Sequence, residues 1–509
     1  MRRLVLIGLS VCAFAANAAD APALSYDDAR HLLNRSGFGA TDAEIRRFAG
    51  MTRADAARTL LAQTRTTAVT PPPAFTAESG PLRYPRDKAS ADERKQFQQE
   101  QIRDGLELRG WWIQEMLATP SPLTERMTLF WHNHFVSAQQ KVRLAVLMYR
   151  QNVTLRENAL GNFGALLHAI ARDPAMVIYL DSAQNRKGTP NENFAREVME
   201  LFTLGEGHYG EQDIKEAARA FTGWSLNRET GHFMFRPFIH DYGRKTVLGR
   251  TGYLDGDDVL DILLARPETA ELVVRKLWRE FVSPDPDERE VARIAARFRE
   301  SRYEIKVALQ EILTSDAFYA PENRGVLVKS PVDLVVGTLR DFGMRPGETV
   351  PFAVAAAGMG QNLFGPPNVK GWPGGDAWIN ASTLLARKAF LDRLFRAGDA
   401  AQDQSAAQPE MMVSASATAG ADALQGSAPD AATELARRIR FMRTMDRGMQ
   451  SVHFDGEAWF DTIQSQSSTR AATASRVLLA YTPQSPLDTK ADPLALVRQI
   501  VLDSAYQLK

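Results

Sequence analysis

The chain is poor in thiols: Cys12 is its one cysteine in 509 residues. A framework of disulfides and a cysteine-built zinc or iron–sulfur site are both excluded. Net charge is also absent, because 61 basic side chains balance 61 acidic ones. Such a chain has no global field to draw in a phosphate backbone or an anionic lipid surface, so nucleic acid is not expected as a partner. Long apolar runs are missing too. The longest, Leu4 to Ala16, is 13 residues, short of the roughly 20 that span a bilayer. What is present is 44% hydrophobic residues and enough length for a substantial packed core.

The Leu4–Ala16 run follows Arg2 and Arg3 and precedes Ala16-Asn17-Ala18, the small-x-small pattern of a signal-peptidase site. Residues 1–18 therefore read as a signal peptide. The expected destination is the periplasm or the exterior, with no transmembrane segment after cleavage. Cleavage after Ala18 also removes Cys12; the alternative is lipoprotein processing at Cys12 itself, where Leu9-Ser10-Val11-Cys12 loosely matches a lipobox.

Beyond the leader, apolar residues recur with helical spacing almost throughout. Ser90 and Glu93 have capping-box spacing, and Met127, Phe130, Trp131 and His134 fall at offsets of three, four and seven. One small hairpin is predicted, near Phe233 to Ile239 and Lys245 to Leu248, where alternation replaces the helical period. Alanine, serine and glutamine dominate 398–430, a composition that cannot bury enough surface to offset chain entropy. The expected architecture is all-α: a multi-helix globular body over 24–397 carrying a small β-hairpin, a flexible linker at 398–430, and a small C-terminal helical segment at 431–509.

Several catalytic signatures fail on context. Gly205-Glu206-Gly207-His208-Tyr209-Gly210 matches G-x-G-x-x-G but ends a helical pattern instead of following a strand, so it reads as a helix stop. Glu229 and His232 have di-iron spacing but sit in a Gly-containing turn. Six of the eight histidines lie between His132 and His240, and that segment is where a site is sought. Trp131-His132-Asn133-His134-Phe135 sets two imidazoles among aromatic rings, suited to ligate a metal or carry protons. His134 reads equally as a core histidine. In Asn193 to Phe202, Asn193, Glu197 and Glu200 share an arc of about 60° at 3.6 residues per turn.

Buried carboxylates must be paired, neutralised or metal-bound. One reading pairs them with Arg196, Arg186, Lys187 or Arg219. The other makes Glu197 a base or ligand, Glu200 its partner and His132 a proton carrier. In that second reading a divalent cation is held by His132, His134, Glu197, Asp181, His240 and Asp241. Trp372 and Trp378 read as core plugs.

WHNHF at 131–135, NENFAREVMELFTLG at 191–205, EAARAFTGW at 216–224, HDYGRKTVLG at 240–249 and PPNVKGWPGGDAWIN at 366–380 resemble motifs of the bacterial Domain of Unknown Function 1800 family. DGDDVLDILL at 255–264 and KSPVDLVVG at 329–337 add to the likeness. The resemblance implies an exported, mainly helical bacterial protein, often encoded beside members of the Domain of Unknown Function 1501 family, which resemble sulfatases and phosphatases. It supplies no catalytic residue. Two functions stay open: a metal-dependent or acid/base hydrolase of envelope or extracellular polymer, and a non-catalytic binding or assembly factor that partners a secreted sulfatase- or phosphatase-like protein. The hydrolase requires Glu197, His132 and His240 to converge in an open cleft.

Overall fold

The computed structural model describes residues 23–77, 89–227, 229–396, 448–449, 452–464 and 469–509. The expected signal peptide and the 398–430 linker lie outside them. The described chain is mostly helical, with two small two-stranded antiparallel sheets.

Local chemistry sets most helix ends. Ser90 and Glu93 close the expected capping box on the Ala91–Ala118 helix, satisfying amides that lack intrahelical partners. Pro122 opens the Pro122–His134 helix, but the Ser121 side chain makes no cap bond; its hydroxyl meets Thr124 Oγ1 at 2.8 Å instead. Helices at Pro267–Phe281, Glu288–Glu300 and Pro331–Asp341 follow the apolar spacing of the sequence. The C-terminal helix Pro493–Leu502 packs on Ala381–Arg396, and a Val328–Leu508 bridge ties the chain end to the body. Among the described residues no helix is long and apolar enough to cross a membrane.

The strands differ from expectation. Phe233–Phe235 (β2) pairs with Trp224–Leu226 (β1), in register Ser225 to Met234, and Lys245–Val247 (β3) turns back on Arg250–Gly252 (β4). The single hairpin between 233–239 and 245–248 is therefore corrected to two hairpins in sequence. The short β1 offers too few alternating residues to be visible in the sequence.

One hydrophobic core runs through the molecule. At its centre Trp131, Phe135 and Phe163 lie 5.7–6.1 Å apart, ring to ring, and Phe202 leans on Phe135 at 5.2 Å. Trp372 and Trp378 are both buried, as the sequence suggested.

Candidate functional site

The Trp131–Phe135 segment is a joint at the end of a helix. Trp131 Nε1 donates to the Ala159 carbonyl at 2.8 Å. Asn133 Oδ1 accepts from the Trp372 amide at 2.7 Å, which brings the Gly365–Gly375 loop onto the helix end. Gly371, at φ +90°, must be glycine there, since a Cβ would lie 2.2 Å from Asn133 Oδ1.

The two imidazoles face different neighbours. His132 is buried against Trp112, with ring centroids 4.7 Å apart, and its Nε2 meets Asn152 Nδ2 at 3.0 Å. Burial, reinforced by the charge of Arg156, holds its pKa down at about 3, so it is neutral at ordinary pH. His134 Nε2 lies 3.1 Å from the Phe202 carbonyl, and its Nδ1 lies 3.1 Å from Lys276 Nζ. A carbonyl only accepts and an ammonium only donates, so these partners fix the Nε2–H tautomer. Burial and the neighbouring Lys276 charge keep His134 well below the usual imidazole range.

The acidic helix also departs from the simple wheel. Asn193–Glu197 is α-helical, but Val198–Thr203 is a π-helix, a form often found at functional sites. The wider turn ends the 3.6-residue register after Glu197. The loosened carbonyls are taken up from outside: Lys276 Nζ donates to Leu201 at 2.8 Å, and His134 serves Phe202. Burial lowers the Lys276 pKa to about 8. His134 and Lys276 thus cap the π-turn, a role that neither residue's sequence context announced. The Gly205–Gly210 segment ends this helix, as expected, with Gly205 and Gly207 at φ +84° and +88°.

On the outer side, Asn193 Nδ2 donates to Asp181 Oδ2 at 3.2 Å, and the same oxygen accepts from Lys141 Nζ at 2.7 Å. Asp181 has φ +58°, a left-handed conformation that aspartate tolerates. Glu200 Oε2 accepts from the Tyr209 hydroxyl at 2.7 Å. Glu197 is half-buried, and among the described residues no donor reaches its carboxylate. Burial, then repulsion from Glu200, raises its pKa, while Arg196 and Lys370 oppose the shift. Arg196 bonds Glu192 and Glu211 instead, so the expected pairing of Arg196 with the inner carboxylates is corrected.

His240 and Asp241 belong to another neighbourhood. His240 Nδ1 donates to the Thr222 carbonyl at 2.7 Å, and its buried ring props Phe235 and Tyr242 at 5.3 and 4.7 Å. Arg219 binds Asp241 at 2.8 Å and holds its pKa down at about 2. The predicted cation site at His132, His134, Glu197, Asp181, His240 and Asp241 does not assemble. Among the described residues no three His, Cys, Asp or Glu side chains are grouped to hold a metal. The cause is physical: the imidazoles are spent on packed interior bonds, and Asp181 and Asp241 on ion pairs. His132 is likewise sealed from any substrate, which corrects its reading as a proton carrier.

The feature that sequence reasoning missed lies on the two hairpins. Among the described residues, nine large apolar side chains stand exposed, and five of them are Met234, Phe235, Phe238, Tyr242 and Tyr253. All five lie on or beside the hairpins, between Met234 and Tyr253, and make an exposed hairpin face, whereas the other four, Val69, Ile102, Leu385 and Tyr481, are scattered along the chain. The signal available in the sequence was an aromatic density on strands too short to bury it. The face is held rigidly: buried Lys245 donates to the carbonyls of Asp241, Gly243 and Leu254 at 2.6–3.0 Å. Beside it, the Lys187 amide bonds the Ile239 carbonyl at 2.8 Å. The loop that this bond ties to Ile239 lines an open cavity of about 530 Å³ with Gln184, Arg186, Thr189, Pro190, Asn191 and Glu192.

Helices on one continuous core, with exposed aromatic residues on two small hairpins, define a mostly helical protein. Residues 31–504 match the family model described as protein of unknown function (DUF1800), and the chain belongs to that family. No curated protein and no solved structure matches it.

Proposed function

We propose that this chain is an exported, non-catalytic binding factor of the bacterial envelope or extracellular space. The observation that carries the reading is the exposed aromatic face at Met234–Tyr253. Rings held on fixed backbone lose little freedom on binding, so such a face is suited to capture. Export is supported by Arg2, Arg3 and the apolar run after them.

The test is sedimentation of purified protein with insoluble envelope and matrix material from the producing bacterium. Wild type is expected in the pellet and the Phe238→Ala/Tyr242→Ala variant in the supernatant, with the bound material left intact. Wild type remaining in the supernatant would overturn the reading. One observation favours the second reading, an acid/base hydrolase without a metal in this set: the Glu197 carboxyl is free of donors, raised in pKa and adjacent to Glu200. Release of soluble fragments by wild type but not by Glu197→Gln would replace the binding reading with that one.

A further inference from the structure

The hairpin face differs from the rest of this charge-balanced molecule. From Asn227 to Tyr253 the chain carries five basic side chains, one of them the buried Lys245, against two acidic ones, Glu229 and Asp241. Asp241 is neutralised by Arg219. Among the described residues, exposed Arg186, Lys187, Arg244 and Arg250 have no carboxylate partner, and the Arg244 guanidinium lies 5.9 Å from the centre of the Tyr253 ring. Along this stretch arginines alternate in sequence with exposed rings, of which Phe238 is 70% and Tyr253 75% accessible.

We infer that this face, with the adjoining cavity, binds an acidic polysaccharide: a chain of sugar rings bearing carboxylate or sulfate groups. The inference rests on the binding role proposed above and names its ligand class. Each part of such a polymer has a counterpart. The apolar C–H face of a sugar ring covers an aromatic ring and releases water from both. Its hydroxyls meet Gln184, Thr189 and Asn191 at the cavity wall. Its anionic groups meet guanidinium forks, whose planar donors match carboxylate and sulfate oxygens.

A protein partner fits less well. Protein interfaces gather their apolar residues into a core depleted of charge, whereas here arginines alternate with the rings along the chain and Arg244 lies over Tyr253.

Affinity electrophoresis in native gels containing polygalacturonate, dextran sulfate, neutral dextran or single-stranded DNA tests the inference. Retardation is expected with at least one acidic polysaccharide and not with neutral dextran. The polygalacturonate and dextran sulfate arms separate carboxylate from sulfate recognition. Phe238→Ala/Tyr242→Ala and Arg244→Gln/Arg250→Gln are each expected to weaken retardation by about tenfold or more, as loss of interface anchors does. Added salt should weaken it further. Because all four side chains are exposed, unchanged melting of the variants controls for folding.

Absence of retardation in both acidic gels, equal retardation in neutral dextran, retardation by DNA alone, or indifference to both double substitutions overturns the inference. If envelope sedimentation persists while the acidic gels fail, the ligand class is wrong and a protein partner, such as a secreted sulfatase- or phosphatase-like protein, takes its place. If sedimentation fails as well, the binding role falls with it.

Discussion

The segment at Trp131–Phe135 and the face at Met234–Tyr253 are both dense in aromatic rings and both contain histidine, yet they put those groups to opposite use. In the first, Trp131 Nε1, His132 Nε2, Asn133 Oδ1 and both ring nitrogens of His134 end on partners inside the protein: the Ala159 carbonyl, Asn152, the Trp372 amide, the Phe202 carbonyl and Lys276. In the second, rings and guanidinium groups are left facing water while a buried histidine braces them from beneath. A cluster of imidazoles is thus not itself a sign of chemistry. What distinguishes a working surface from a joint is whether its groups still have unspent contacts.

The sharpest way to break this contrast is to unpair the interior. Arg156 Nε donates to Glu125 Oε1 at 2.6 Å in full burial, and Trp112 Nε1 donates to the other oxygen at 2.8 Å. Glu125→Ala should cost about 3–5 kcal/mol, because it strands a buried cation; urea unfolding measures it. Next comes His134→Ala, which leaves the Phe202 carbonyl and Lys276 short of a partner and should cost about 2–3 kcal/mol. His134→Gln, which keeps a donor, should cost less in the same measurement. In both His134 variants the folded fraction should retain its envelope binding, which separates joint from face.

Acid gives a smaller, graded effect. His31 and His132 have folded pKa values near 3, both lowered first by burial, against about 6.5 unfolded. Their contribution to stability is complete above about pH 6.5 and drains as pH falls toward 3, by up to about 1.4 kcal/mol per pH unit for each ring. Asp173 and Asp341, raised by burial to about 7, act in reverse: their contribution is complete below about pH 4 and is lost as pH rises toward 7. Between about pH 4 and 6 the two histidine and two aspartate contributions oppose each other, so thermal melts of His132→Gln should gain stability relative to wild type as pH falls. The smallest effect belongs to the face. Phe238→Ala should change stability by no more than about 0.5 kcal/mol, while abolishing envelope sedimentation in combination with Tyr242→Ala. A large loss of stability there would erase the contrast.

Much of the fold was legible. Apolar spacing located Pro267–Phe281, Glu288–Glu300 and Pro331–Asp341 but not Val350–Gly358; the Ser90–Glu93 box marked a helix start and Gly205 a helix end, because each signal acts within a few residues. The candidate site was less legible. A helical wheel put Asn193, Glu197 and Glu200 on one arc, but the π-turn from Val198 depends on Lys276 and His134 arriving to take its carbonyls. The carboxylate of Glu197 was read as part of a histidine cluster, and only the packing shows that the imidazoles turn elsewhere. The hairpin aromatics were read as strand residues. Whether such residues lie inside or outside depends on what covers them, and β1, three residues long, covers little.

The order of residues by itself determined that this is a helical, cysteine-poor body of one family, because helix periodicity, capping and turn chemistry are short-range. Only the tertiary structure decided which polar groups are consumed and which remain available. Pairing across 20 to 150 positions of chain, as in His132 with Asn152 or His134 with Lys276, is set by how helices pack. Local sequence carries no record of the distance between two side chains that the core brings together.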